Sequence, residues 1–267
     1  MDILEEIVAH KRIEVARQKE VIAPKALYHE VENMITDGTA HQIISMKTSL
    51  RNSDSGIISE FKRKSPSKGW IKEEGQPEII PASYCKNGAS AISILTDEKY
   101  FGGRLKFIKT ARPMVTCPIL RKDFIVDEYQ LFQAREIGAD AVLLIAADLK
   151  KNECKTLAKT AHELGLETLL EIHSEHELDY VGDNIDMVGV NNRNLGTFHT
   201  DVQNSYRLAS KLPSDFVLVS ESGISNPDTV RDLRKAGFRG FLIGETFMKT
   251  PDPGESLKEF IAQVTQQ

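Results

Sequence analysis

Eight short apolar runs, separated by stretches of helical character, constrain this 267-residue chain more than any other feature. The runs occupy residues 56–61, 91–96, 118–122, 141–145, 167–171, 187–191, 216–221 and 240–244. Most are continuously rich in Ile, Val and Leu rather than alternating with polar residues, the pattern of strands buried on both faces. Between them, residues 127–138, 150–164 and 226–236 read as helices. The last opens with Asn226-Pro227, an N-cap followed by a proline at the first helical position. Gly138, Gly165 and Gly237 stand just beyond these helices and shortly before the next run. Eight strand–helix repeats predict an α/β fold of the closed kind, a (β/α)8 TIM barrel, in preference to an open doubly wound sheet. No G-x-G-x-x-G follows a run, which argues against a dinucleotide fold.

The first convincing run begins more than fifty residues into the chain. Before it, Ile3, Leu4, Ile7 and Val8 follow helical spacing, so the first twenty residues predict a helix ending before Pro24. The expectation is a single (β/α)8 barrel domain over 1–267, with residues 1–50 as an extra N-terminal helical extension. The barrel architecture commonly takes about 250 residues. The net charge of −5 argues against nonspecific nucleic-acid binding. No stretch approaches the roughly 18 apolar residues of a membrane span, and Met1 to Glu20 has no apolar core like that of a secretory signal. Three cysteines, Cys85, Cys117 and Cys154, lack metal-ligand spacing and fit a reducing cytoplasm.

In such a barrel, chemistry gathers at the carboxyl ends of the strands. Here the runs end in polar groups: Glu60 and Lys62, Thr96 and Asp97, Lys122 and Asp123, Glu171, Asn191 and Arg193, and Glu221. Glu60 and Lys62 are two apart and therefore share a face of their strand. Any one of these has a mundane explanation as a solvent-facing strand end. Three glutamates and two lysines on one rim supply general acids and bases without a metal. Segments 220–225 and 243–246 follow the seventh and eighth runs, where this fold usually holds phosphate. Gly223 and Gly244 allow close backbone approach to an anion, and Ser222 offers a hydroxyl. His162, His173, His176 and His199 show no ligand spacing and receive no role. Trp70, after the first run, either covers an aromatic substrate or anchors its loop.

The segments Ile3-Leu4-Glu5-Glu6-Ile7-Val8, Glu60-Phe61-Lys62-Arg63-Lys64-Ser65-Pro66-Ser67, Tyr100-Phe101-Gly102-Gly103 and Leu120-Arg121-Lys122-Asp123-Phe124 are highly specific together. With Glu171-Ile172-His173, 189–195, 220–224 and 240–245, they resemble indole-3-glycerol phosphate synthase in order along nearly the whole chain. The resemblance implies ring closure, decarboxylation and dehydration of an anilino-deoxyribulose 5-phosphate that bears a ring carboxylate. It looks like the single-function form, without a fused second barrel.

By that resemblance, Lys122 is the general acid for ring closure. Lys62 pairs with the substrate carboxylate and protonates the leaving hydroxyl, and Glu60 and Glu171 are both candidate bases. Asn191, Arg193 and Glu221 orient substrate and lysines. Ser65, Ser222, Gly223, Gly244 and Glu245 line the phosphate region, Glu245 through its N–H. No cofactor or metal is expected. The expected partner is a small phosphorylated substrate rather than nucleic acid or membrane, with the protein a monomer or weak homodimer in the cytoplasm. Three alternatives remain: another phosphosugar barrel such as an isomerase, a Schiff-base aldolase using Lys122, and a noncatalytic phosphosugar-binding protein.

Overall fold

The structure, a computed structural model, describes residues 3–194, 196–197 and 199–266; Leu195, in one of the motifs above, lies outside them. All eight runs are strands: β1 (Ile57–Phe61), β2 (Ala91–Leu95), β3 (Ile119–Lys122), β4 (Ala141–Ile145), β5 (Glu167–Ile172), β6 (Met187–Asn191), β7 (Val217–Glu221) and β8 (Gly240–Ile243). Each pairs in parallel with its sequence neighbours, and β1 closes on β8 through Ile57↔Phe241, Ile58↔Leu242 and Ser59↔Ile243. The helices read at 127–138, 150–164 and 226–236 run Tyr129–Glu136, Lys151–Glu163 and Pro227–Lys235. Asn226 caps the last by accepting from the Asp228 N–H.

Strand alternation divides the apolar residues into two populations. Outward-facing residues such as Ile57, Ile92, Val142, Leu170 and Phe241 join the surrounding helices in the larger core. Inward-facing Ile58, Leu120, Leu143, Leu169, Met187, Val219 and Leu242 fill the barrel itself. The inward population explains the mouth. Two residues beyond Ile58, Leu120, Leu169, Val219 and Leu242 stand Glu60, Lys122, Glu171, Glu221 and Gly244, on the same inward face. At four of these five positions an ionisable group follows the aliphatic one, where the barrel meets the cavity.

Three helices precede β1: α1 (Ile3–Val21), α2 (Pro24–Thr36) and α3 (Met46–Asn52). The last crosses the residue-50 boundary read from the sequence and drives Met46 and Leu50, both fully buried, into the inward cluster. Burial of side chains of this size stabilises by about 1.5–3 kcal/mol each. α2 packs on helix Tyr129–Glu136 through Tyr28 and Phe132, whose stacked rings are 3.9 Å apart. α1 turns Ile7, Lys11 and Val15 inward.

The segment after β1 differs from the loop expected there. It forms a small antiparallel hairpin, Lys64–Ser65 with Gly69–Trp70. Strands of two residues leave no alternation to detect, and the segment's composition reads as a turn.

Candidate active site

A cavity of about 420 Å³ opens at the carboxyl end of the barrel. Every residue singled out above for catalysis, substrate or phosphate lines it: Glu60, Lys62, Ser65, Lys122, Glu171, Asn191, Arg193, Glu221, Ser222, Gly223, Gly244 and Glu245. Apolar walls come from Leu95, Phe101, Phe124, Leu143 and Ile145. α1 contributes Ile3, Leu4 and Ile7, so the extension forms part of the enclosure.

At the centre is Lys122, 17 % exposed, with Nζ 3.5 Å from Glu171 Oε2 and 3.8 Å from Glu221 Oε2. Burial disfavours its charge, but Glu171, Glu221 and Glu60 outweigh that cost and hold the ammonium above the usual lysine range. Burial also opposes ionisation of Glu171. The charges of Lys122 and His173, with hydrogen bonds from Asn191 and Glu221, nevertheless hold its carboxyl below the ordinary value. Glu221 goes the opposite way: burial, then the neighbouring Glu171 charge, push it well above the ordinary value. The two carboxyls therefore titrate as a pair, with Glu171 ionised and Glu221 the proton-bearing member. Asn191 Nδ2 donates to Glu171 Oε1 at 3.1 Å and fixes the orientation of that carboxylate.

A second pair lies beside the first. Lys62, one residue past the end of β1, has Nζ 2.5 Å from Glu60 Oε1. Arg193 reaches across the mouth and donates from Nη1 to Ser67 Oγ at 3.1 Å, linking the β6 loop to the hairpin.

The turns after β7 and β8 differ in what their glycines do. Ser222 and Gly223 both take left-handed torsions, φ 67° and 76°. A Cβ on Gly223 would also strike Thr200 Cγ2 at 2.6 Å. Gly244 has a second constraint beside the phosphate approach read from the sequence. A Cβ there would come within 2.5 Å of Glu60 Oε1 and 3.1 Å of Glu60 Cβ, so the vacancy houses the Glu60 side chain. Any anion contact from Gly244 falls to its backbone. Glu245 follows at the start of helix Glu245–Met248, and its carboxylate accepts from Lys68 Nζ at 2.8 Å. Burial opposes that charge, while Lys68, Lys62 and Lys249 hold the carboxyl below the ordinary value.

Not every polar strand end serves the cavity. Thr96 and Asp97 lie outside it, and Asp123 borders it with its carboxylate already paired to Lys11 and Arg121. Lys11 Nζ, 1 % exposed, meets Asp97 Oδ2 at 2.9 Å and Asp123 Oδ1 at 3.0 Å. Arg121 and Thr96 complete the cluster through Asp123 Oδ2, at 3.1 and 2.6 Å. Trp70 resolves as an anchor: 47 % exposed and outside the cavity lining, it lies against Gly102 with Arg63 5.3 Å from its ring centroid.

His173, given no role from sequence, has Nε2 3.3 Å from Glu171 Oε1. Its position two residues after Glu171, at the strand end, was the available signal. The ring turns back toward the carboxylate because the N–H groups of His173 and Ser174 both donate to Glu177, which folds the chain just past β5. Among the described residues, no group of three or more His, Cys, Asp or Glu side chains is placed to hold a metal ion. No described helix is long and apolar enough to cross a membrane.

Fold and site together define a (β/α)8-barrel enzyme whose mouth combines proton-transfer groups with turns suited to an anion. Solved structures share the architecture: 3-hexulose-6-phosphate synthase from Salmonella typhimurium has TM-score 0.60 at 13 % identity, covering 78 % of this chain and 98 % of that one. A tryptophan synthase α-subunit from Pyrococcus furiosus has TM-score 0.59 at 17 % identity, covering 79 % and 98 %. The family model for indole-3-glycerol phosphate synthase matches residues 4–260. Proteins of that name from Bacteroides thetaiotaomicron and Magnetococcus marinus are 63 % and 42 % identical, each match covering 98 % of this chain and 99 % of the relative. The chain belongs to the indole-3-glycerol phosphate synthase family.

Proposed function

We infer that the chain is itself an indole-3-glycerol-phosphate synthase, a carboxy-lyase of tryptophan biosynthesis. It closes the ring of 1-(2-carboxyphenylamino)-1-deoxyribulose 5-phosphate, with loss of carbon dioxide and water, to give indole-3-glycerol phosphate. The observation that carries this reading is Lys122 Nζ set 3.5 Å from Glu171 and 3.8 Å from Glu221 inside a cavity with one apolar wall and one anion-ready rim.

Each step has a group suited to it. The anilino ring lies along Phe101, Phe124 and Ile145, which exclude water from the reacting carbons. The phosphate meets Ser65 and the turns at Ser222-Gly223 and Gly244-Glu245. As the ring carbon attacks the ketone, the forming alkoxide becomes more basic than an amine, and Lys122 delivers a proton to it. Departure of the ring carboxylate as carbon dioxide leaves its bonding pair in the ring. Lys62 faces that carboxylate and then protonates the departing hydroxyl. Glu171, ionised and fixed by Asn191, takes the proton whose loss completes the indole, while Glu60 holds Lys62 in place. Arg193 and Glu221 orient the substrate and the lysines. A charged Lys122 works against the Schiff-base alternative, which needs a neutral nucleophilic amine.

The same reading places the protein in the cytoplasm as a monomer or weak homodimer. Incubation with the carboxyphenylamino substrate should generate indole fluorescence. Failure to form any indole product with a folded protein would refute the assignment.

A further inference from the structure

The inward positions of β6 are Met187, Gly189 and Asn191, and the middle one carries no side chain. Gly189 lies in extended strand, in register with Glu171 on β5 and Val219 on β7. No torsional demand for glycine arises there. Space demands it. A methyl on Gly189 would overlap Glu221 Oε1 and meet Leu169 Cδ1 at 3.3 Å and Glu221 Cδ at 3.4 Å. Glu221 leaves β7 opposite Asn191, one inward position nearer the mouth. One oxygen of its carboxyl, Oε1, therefore sits over the gap in β6 while the residue still borders the cavity. From there it stands 3.8 Å from Lys122 Nζ, the same ammonium that Glu171 approaches at 3.5 Å.

We propose that Gly189 is a positioning residue for proton transfer: its missing side chain receives Glu221 and brings that carboxyl against Glu171 and Lys122. The inference rests on the reading that these groups serve indole formation. Folded into the gap, Glu221 is dry and adjoins an ionised carboxylate, the conditions that keep a carboxyl protonated and donating. Lifted out by a methyl, it gains water, ionises and adds a second negative charge facing Glu171. Gly244 stands in the same relation to Glu60, so the barrel uses two inward glycines to lodge two glutamates.

The test compares Gly189→Ala in three backgrounds, reading melting temperature and turnover. In the otherwise wild-type chain it should lower the melting temperature and reduce kcat by about tenfold or more, with inorganic phosphate binding unchanged. With Glu221→Ala the methyl occupies vacated space, so the melting temperature should barely respond. Glu221→Asp is one methylene shorter and clears the methyl, so the added Gly189→Ala should cost far less turnover than it does beside Glu221. Should Gly189→Ala fail to fold alone, folding of the Gly189→Ala/Glu221→Ala double variant supports the proposal, and failure of both overturns it. Equal losses in all backgrounds, or wild-type kcat in Gly189→Ala, also overturn it. A wild-type protein inactive on the anilino substrate would refute the functional reading alone, because the melting comparison needs no turnover.

Discussion

Lys11 Nζ lies 3.0 Å from Asp123 Oδ1, which ties α1 to the residue immediately after Lys122. The helix that covers the cavity and the strand that carries its central lysine are thus joined by a buried ion pair. Loss of Lys11 leaves Asp123 to Arg121 and strips the buried Asp97 carboxylate of its cation, at a cost of about 3–5 kcal/mol. Lys11→Met should lose that much in denaturant unfolding, and a loss below about 1 kcal/mol would show that the pair adds little.

The same pair sets a pH dependence. Burial opposes the Asp123 charge, but Lys11 and Arg121 outweigh it and hold the carboxyl below its usual range. A depressed carboxyl gives stability that is complete above its unfolded value, about 3.9. That stability is lost as pH falls through the folded value. Lys11→Met raises the folded value, so its acid unfolding should begin at higher pH than in wild type. Superimposable acid unfolding curves would contradict this.

His173 helps to hold Glu171 ionised, since its charge is among the influences that lower that carboxyl. On the proposed mechanism Glu171 must be ionised to accept a proton, so activity should fall as pH drops through its value. His173→Gln removes that influence and should move the acidic limb of kcat to higher pH. The plateau at higher pH should change little. An unmoved limb would detach His173 from the base.

Gly223 and Gly244 should separate kinetically. Gly223→Val disturbs a left-handed turn on the proposed phosphate side, so its main effect should be a higher KM. Gly244→Val displaces Glu60 and with it Lys62, so kcat should also fall, by about tenfold or more. Steady-state kinetics of the two variants decides the matter; matching effects would mean that Gly244 serves the phosphate alone.

The barrel was legible because parallel strands covered on both faces read as apolar runs, and helices closing at Gly138, Gly165 and Gly237 punctuate them. The polar rim was legible because Glu60, Lys122, Glu171 and Glu221 continue the inward face two positions beyond an aliphatic residue. What remained hidden depends on contacts between distant segments. Lys11 looks like one more charge on an N-terminal helix until Asp97 and Asp123 are brought to it. His173 acquires a partner only when the chain folds back past β5, and Gly244 reads as a turn glycine until Glu60 fills its space.

The central claim is that Lys122 protonates the ketone oxygen during ring closure. Single-turnover kinetics of Lys122→Ala with the carboxyphenylamino-deoxyribulose phosphate, followed by indole fluorescence, tests it most directly. A positioned general acid is worth about a hundred- to ten-thousandfold in rate. Product formation should slow by that factor or more, with folding and phosphate binding intact, and Lys122→Arg should recover little because guanidinium does not release its proton. Near-wild-type product formation in Lys122→Ala would contradict the account.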